Sequence, residues 1–126
     1  MSSNIDPKYL GIPNICFSLT EKGDSREEKF SKQRMERGFD DSETWSLRDT
    51  IGNFILPRLK RFKEVDVGFP ENLEEPSEWE DILNKMIVSF ELLTRDNGTF
   101  ILTEEEQEKY KEGFELFCEY FMSLWW

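Results

Sequence analysis

Glu78 and Asp81 stand three residues apart in a stretch with helical apolar spacing, so their carboxylates share a helix face and could hold Mg²⁺. Such a pair would suit metal-dependent chemistry on phosphorylated small molecules, provided a second helix supplied a matching pair. The other candidates, Glu43 and Asp49, are six residues apart and do not face each other. A di-iron bundle would need Glu-x-x-His, and the chain has no histidine. The same absence removes Ser-His-Asp and Cys-His catalysis within this chain. The plainer reading of Glu78 is an acid placed favourably at a helix start. The expectation is no catalytic residue, no metal and no cofactor, with the metal-dependent enzyme kept as an alternative.

A second set of carboxylates suggests binding instead of catalysis. Glu105, Glu108, Glu112, Glu115 and Glu119 recur at steps of three and four, which is one face of a helix. They belong to a marked asymmetry of charge. Residues 1–68 hold twelve Lys/Arg and twelve Asp/Glu, whereas residues 69–126 hold four against fifteen, so the whole net charge of −11 lies in the second half. A surface of that sign repels nucleic acid and anionic membrane and attracts basic protein surfaces. The basic run Arg58, Lys60, Arg61 and Lys63 is a weak footprint for nucleic acid on such a protein. Pairing with the acidic helices is its more local role.

These residues need elements to carry them. Glu43 follows a candidate N-cap, Ser42, and Leu47, Ile51, Phe54, Ile55, Leu59 and Phe62 then form one apolar stripe, which predicts a helix over about 42–64. Pro57 lies inside it and predicts a kink or break. Pro76 at a first helical position, followed by Trp79, Ile82, Leu83, Met86, Ile87, Phe90 and Leu93, predicts a second helix over 76–94. Asp96, Asn97 and Gly98 mark a turn. Thr103 and Glu106 form a capping-box pair that opens a third helix, over about 103–125. Its apolar face is Tyr110, Phe114, Phe117, Phe121, Leu124 and Trp125, with Trp125 in the core and Trp126 beside it, either capping the bundle or exposed as an anchor for a partner or a second copy.

The fold expected is all-α, a small bundle of three main helices at residues 38–126 behind a partly irregular extension, residues 1–37. Within the extension, residues 14–19 read as an edge strand or a docked extended segment. Residues 21–37 read as either a short surface helix or a mobile stretch. The high aromatic fraction, 14%, gives enough buried area to argue against global disorder. Cys16 and Cys118 each sit among apolar neighbours and read as reduced, packed thiols. Met1 to Pro7 is polar, and no apolar run is long enough for a membrane span, so neither a signal peptide nor a membrane location is expected.

Four stretches, GFDDSETWSLRDTIGNFILPRLKRFKE at 38–64, GFP at 68–70, EWEDILNKMIVSFELL at 78–93 and GFELFCEYFMSLWW at 113–126, resemble a family of small uncharacterised proteins of tailed bacteriophages. The resemblance covers about two thirds of the chain, from Gly38 onward. It implies a phage origin and action in the host cytoplasm, and it carries no catalytic residues. The family pattern often has an acid where this chain has Arg48, which argues against a carboxylate active site in that segment.

With that context, carboxylates spaced along a rigid helix suggest imitation of the phosphates of a duplex. The function expected is a small acidic protein-binding module that inhibits a host defence protein, of anti-CRISPR or anti-restriction type, or another nucleic-acid-handling protein. Its partner-binding residues would be Glu105, Glu108, Glu112, Glu115, Glu119 and Trp126. The partner would be a host or phage protein with a basic surface, with direct nucleic-acid binding unexpected and a homodimer allowed for. A phage structural or assembly oligomer is the remaining alternative.

Overall fold

A computed structural model of the chain describes residues 15–95 and 101–126. Among them are four α-helices and no strand: α1 (Glu27–Arg37), α2 (Leu47–Val65), α3 (Pro76–Thr94) and α4 (Glu104–Glu119). Two single turns of 3-10 helix, Asp41–Thr44 and Phe121–Ser123, complete the set. The all-α class is as expected, with one helix more than the three anticipated. That helix, α1, lies in the partly irregular extension, within residues 21–37, where a short surface helix is one of the two readings. The chain divides into two compact units, Met1–Ile51 and Gly52–Trp126.

In the first unit the interior is largely polar. Residues 15–20 are neither helix nor strand, and side chains hold them in place: Glu43 Oε1 accepts the Phe17 N–H at 3.1 Å, and Ser42 Oγ accepts that of Leu19 at 2.8 Å. The edge strand read at residues 14–19 is thus absent at the described residues 15–19, which side-chain acceptors hold instead. α1 carries little apolar surface, but Glu27 and Glu28 lie in its first turn and the basic Arg34 and Arg37 in its last, as the helix dipole favours. Gly38 ends it in the left-handed conformation (φ 86°), a geometry costly for any residue with a Cβ, and returns its N–H to the Arg34 carbonyl.

Arg34 is the centre of this unit. Its guanidinium, fully buried, donates to the buried Asp40 carboxylate, to Glu27 Oε1 at 2.5 Å and to Ser18 Oγ at 3.1 Å. Asp40 also accepts from the Ser42 N–H and hydroxyl, so Asp40 and not Ser42 is the N-cap, and it caps the 3-10 turn. Ser42 is itself buried, and α2 starts only at Leu47. Burial alone would raise the Asp40 pKa, but hydrogen bonds from Ser18, Ser42 and Arg34 outweigh it and hold the carboxyl below its ordinary range. Beside the network, Phe30 meets Trp45 edge-on at 6.0 Å, and Arg26 lies 4.9 Å over the Trp45 ring.

The second unit is the helical bundle proper, with an apolar core. Leu59, Trp79, Leu83, Met86, Phe90, Leu93 and Tyr120 are buried together. α3 supplies most of them, because its apolar residues recur at helical spacing. α4 runs antiparallel to α3, as its contacts show: Trp79 meets Tyr120 at 5.5 Å, Phe90 meets Phe117 at 5.0 Å, and Ser89 Oγ donates to the Tyr110 carbonyl at 2.8 Å. Where the two helices are closest, residue 113 is glycine, packed against the Lys85 carbonyl.

Pro57 leaves α2 unbroken from Leu47 to Val65. The stripe read on α2 is only partly a core stripe, since Leu59 is buried, Ile55 and Phe62 are half-buried, and Leu47, Ile51 and Phe54 are exposed. The helix expected to run to residue 125 stops at Glu119. Tyr120 closes it, Phe121–Ser123 turn, and Leu124–Trp126 leave the helix axis. Trp125 is therefore 76% exposed and not a core residue. The turn read at Asp96, Asn97 and Gly98 lies outside the described residues.

Candidate protein-binding surface

Two surface features of the second unit bear on the candidate residues. The first is the outer face of α4. The capping box forms as the sequence implies, Thr103 Oγ1 accepting the Glu106 N–H at 3.1 Å and Glu106 Oε1 accepting that of Thr103 at 3.0 Å. Arg95 clamps Glu106 with both terminal nitrogens, at 2.5 and 3.2 Å. That clamp, with the Thr103 N–H bond, lowers the Glu106 pKa to about 2. The start of α4 is thereby fixed to the end of α3, and Tyr110, Gly113 and Phe117 turn inward.

The same helical phase puts Glu105, Glu108, Glu112, Glu115 and Glu119 on the opposite side, all of them exposed. They span about 21 Å of helix, one carboxylate per about 5 Å. Three of them touch cations: Glu105 with Lys109 at 3.5 Å, Glu112 with Lys85 at 3.8 Å and Glu115 with Lys111 at 4.0 Å. Exposed pairs of this kind are weak and readily exchanged. Among the described residues no ion pair reaches Glu108 or Glu119.

The position of two of these acids is costly. Carboxylates are favourable in the first turn of a helix, where Glu104, Glu105 and Glu106 lie, and unfavourable near its end. Glu115 and Glu119 occupy that end, and no basic residue stands in the last turn to offset them. A face serving only solubility would be as well served by lysine at 119.

The second feature is a cleft of about 590 Å³ between the connector after α2 and the segment after α4. Asp66, Phe69 and Glu71 form one side, Trp125 and Trp126 the other. Trp79 lies at its base, 3% exposed, and donates its indole N–H to Asp66 Oδ2 at 2.6 Å. Asn72 Nδ2 donates to the Tyr120 hydroxyl at 3.0 Å and so ties the connector to the end of α4. Trp126 is thus placed at a cleft, 74% exposed. Helical periodicity marks neither residues 66–72 nor the chain end as a wall of this cleft. Gly68 and Pro70, which prevent the connector from being helical, were the available signal.

The other candidates are committed elsewhere. Glu78 Oε2 accepts the Glu74 N–H at 2.8 Å, and Asp81 pairs with Lys85 at 3.5 Å. Glu43 accepts backbone N–H groups from Phe17 and Asp40, and Asp49 Oδ2 accepts from Ser46. Among the described residues no three potential metal-ligating side chains of the His, Cys, Asp and Glu types come together. In the basic run, Lys60 pairs with Glu91 at 3.3 Å and Lys63 with Glu80 at 3.9 Å, the local role expected of them. Arg58 lies 3.8 Å over the Phe54 ring. Both cysteines are free thiols, and Cys118 is exposed instead of packed. No helix among the described residues is long and apolar enough to cross a membrane.

Comparison of the chain with protein families, with curated proteins and with solved structures found no match.

Proposed function

We propose that this protein is a non-catalytic binding module whose acidic α4 face engages the basic, nucleic-acid-handling surface of another protein and inhibits it. The observation that carries the reading is the continuous carboxylate stripe on α4, extended to Glu119 against the helix dipole. Its axial spacing of about 5 Å per charge is of the same order as the roughly 3.4 Å per phosphate along one DNA strand. Complementary fields of this kind raise association rates and make the complex sensitive to salt. The resemblance of residues 38–126 to tailed-phage proteins supports a host defence or replication protein as the target, met in the host cytoplasm.

The test is capture of partners from nuclease-treated bacterial lysate by the wild-type protein and by a Glu108→Lys, Glu112→Lys, Glu115→Lys triple variant. The expected partner is basic, leaves the wild type at moderate salt, is displaced by added duplex DNA, and does not bind the variant. Equal capture by a variant with unchanged circular dichroism would refute the reading.

A further inference from the structure

We propose that the cleft between the 66–72 connector and Trp125–Trp126 receives a single arginine or lysine side chain of a protein partner. The inference rests on the reading above, that the partner surface is basic, and it adds a specific seat to a diffuse charge attraction. At about 590 Å³ the cleft falls within the roughly 300–1,000 Å³ of small-molecule sites, so a single side chain would occupy part of it. Its lining joins the two groups that hold an organic cation. Phe69, Trp79, Trp125 and Trp126 supply aromatic rings, and Asp66 and Glu71 supply carboxylates. The negative face of an aromatic ring attracts a desolvated cation, indole most strongly.

Charge complementarity selects this occupant over an apolar one. No lysine or arginine is among the described residues that line the cleft. Asp66 accepts two hydrogen bonds, from the Trp79 indole and the Gly68 N–H, and both donors are neutral. They orient the carboxylate and leave its charge unbalanced. Lys63, three residues before Asp66, is paired with Glu80 at 3.9 Å. An apolar guest would bury Asp66 and Glu71 without compensation, whereas a guanidinium or ammonium group would neutralise them while stacking on the indoles. The exposed Trp125 and Trp126 rings, at 76% and 74%, are then the surface a guest would cover.

The test follows the four indole N–H signals of the ¹⁵N-labelled protein, assigned by single Trp→Phe variants, during titration with acetyl-Gly-Arg-Gly-amide. The control is the same peptide with citrulline, the neutral isostere of arginine. The expected result is saturable movement of the Trp125 and Trp126 signals while Trp45 stays still, with the citrulline peptide at least tenfold weaker. Glu71→Gln, an exposed position outside the core, should bring the arginine peptide down towards the citrulline value. Equal binding of the two peptides would make this an apolar groove and overturn the proposal, as would immobile Trp125 and Trp126 signals. Movement of those signals with protein concentration alone would assign the cleft to a second copy of the chain and overturn it too. The α4 triple lysine variant separates the two claims. Its peptide titration should match the wild type, so loss of the α4 claim leaves the cleft standing, and a silent titration with α4-dependent capture refutes the cleft alone.

Discussion

The carbonyl oxygen of Lys85 occupies the space where a side chain on Gly113 would begin: a Cβ built there would lie 2.1 Å from that oxygen and 2.6 Å from Ser89 Cβ. In an isolated helix, Gly113→Ala would gain about 1 kcal/mol. Here α3 and α4 would have to separate, loosening the Phe90–Phe117 contact and the Ser89–Tyr110 hydrogen bond. Overpacking of this kind costs about 1–3 kcal/mol, so a net loss of stability is expected. Urea unfolding would measure it, and an unchanged or higher midpoint would contradict the close approach.

Asp40→Ala should be among the most damaging substitutions in the first unit. It leaves the buried Arg34 guanidinium without its most buried counter-charge and uncaps the 3-10 turn. Breaking a buried pair from one side costs about 3–5 kcal/mol. The Gln33–Asp41 contact would report it, through loss of amide-exchange protection at the Asp41 N–H. An Arg34→Met, Asp40→Leu double substitution should recover part of the loss, because it removes both charges together.

Acid should weaken both units. Asp40, Asp41 and Glu106 have carboxyl pKa values lower in the folded chain than in the unfolded one. For Glu106, the stabilising contribution is fully present above its ordinary value near 4.5 and lost as pH falls through about 2. Asp40 acts in the same direction. Thermal midpoints should therefore fall as pH drops below about 4.5, and Arg95→Gln should flatten the part of the fall that Glu106 causes. A midpoint that rises on acidification through that window would show that self-repulsion of the acidic second unit dominates instead.

Glu119→Lys should separate stability from binding. Lysine near the end of α4 suits the helix dipole, so the variant should gain a few tenths of a kcal/mol at low salt and less at high salt. The same change should weaken capture of a basic partner. A variant that gains stability and binds as well as the wild type would remove Glu119 from the contact surface.

The bundle was legible in the sequence where helical periodicity and capping chemistry agreed. α3 carries Pro76 at its start and an unbroken apolar stripe, and its bounds fall where the pattern puts them. Thr103 and Glu106 opened α4 for the same reason. The reading lost its way where burial is not apolar. α1 reads in sequence as either a short surface helix or a mobile stretch, because its inward residue at position 34 is arginine, satisfied by Glu27 and Asp40, and no periodicity of hydrophobic residues records that. At the end of α4, Leu124 and Trp125 continue the helical stripe in sequence, yet the chain leaves the helix at Tyr120, and only tertiary packing against Trp79 and Asn72 fixes that stop. The acidic face could be read directly, since α4 phase alone sets it. The cleft could not, because its two walls are some fifty residues apart in the chain.

The polar interior around Arg34 has a calorimetric consequence. Exposing apolar surface raises the heat capacity of a chain, and exposing polar surface lowers it. The Trp79–Phe90–Phe117 core should contribute most of the heat-capacity increment on unfolding, and the Arg34–Asp40 interior little or none. The first unit should then have a nearly flat stability curve, insensitive to cooling, while the second is strongly curved and weakens in the cold.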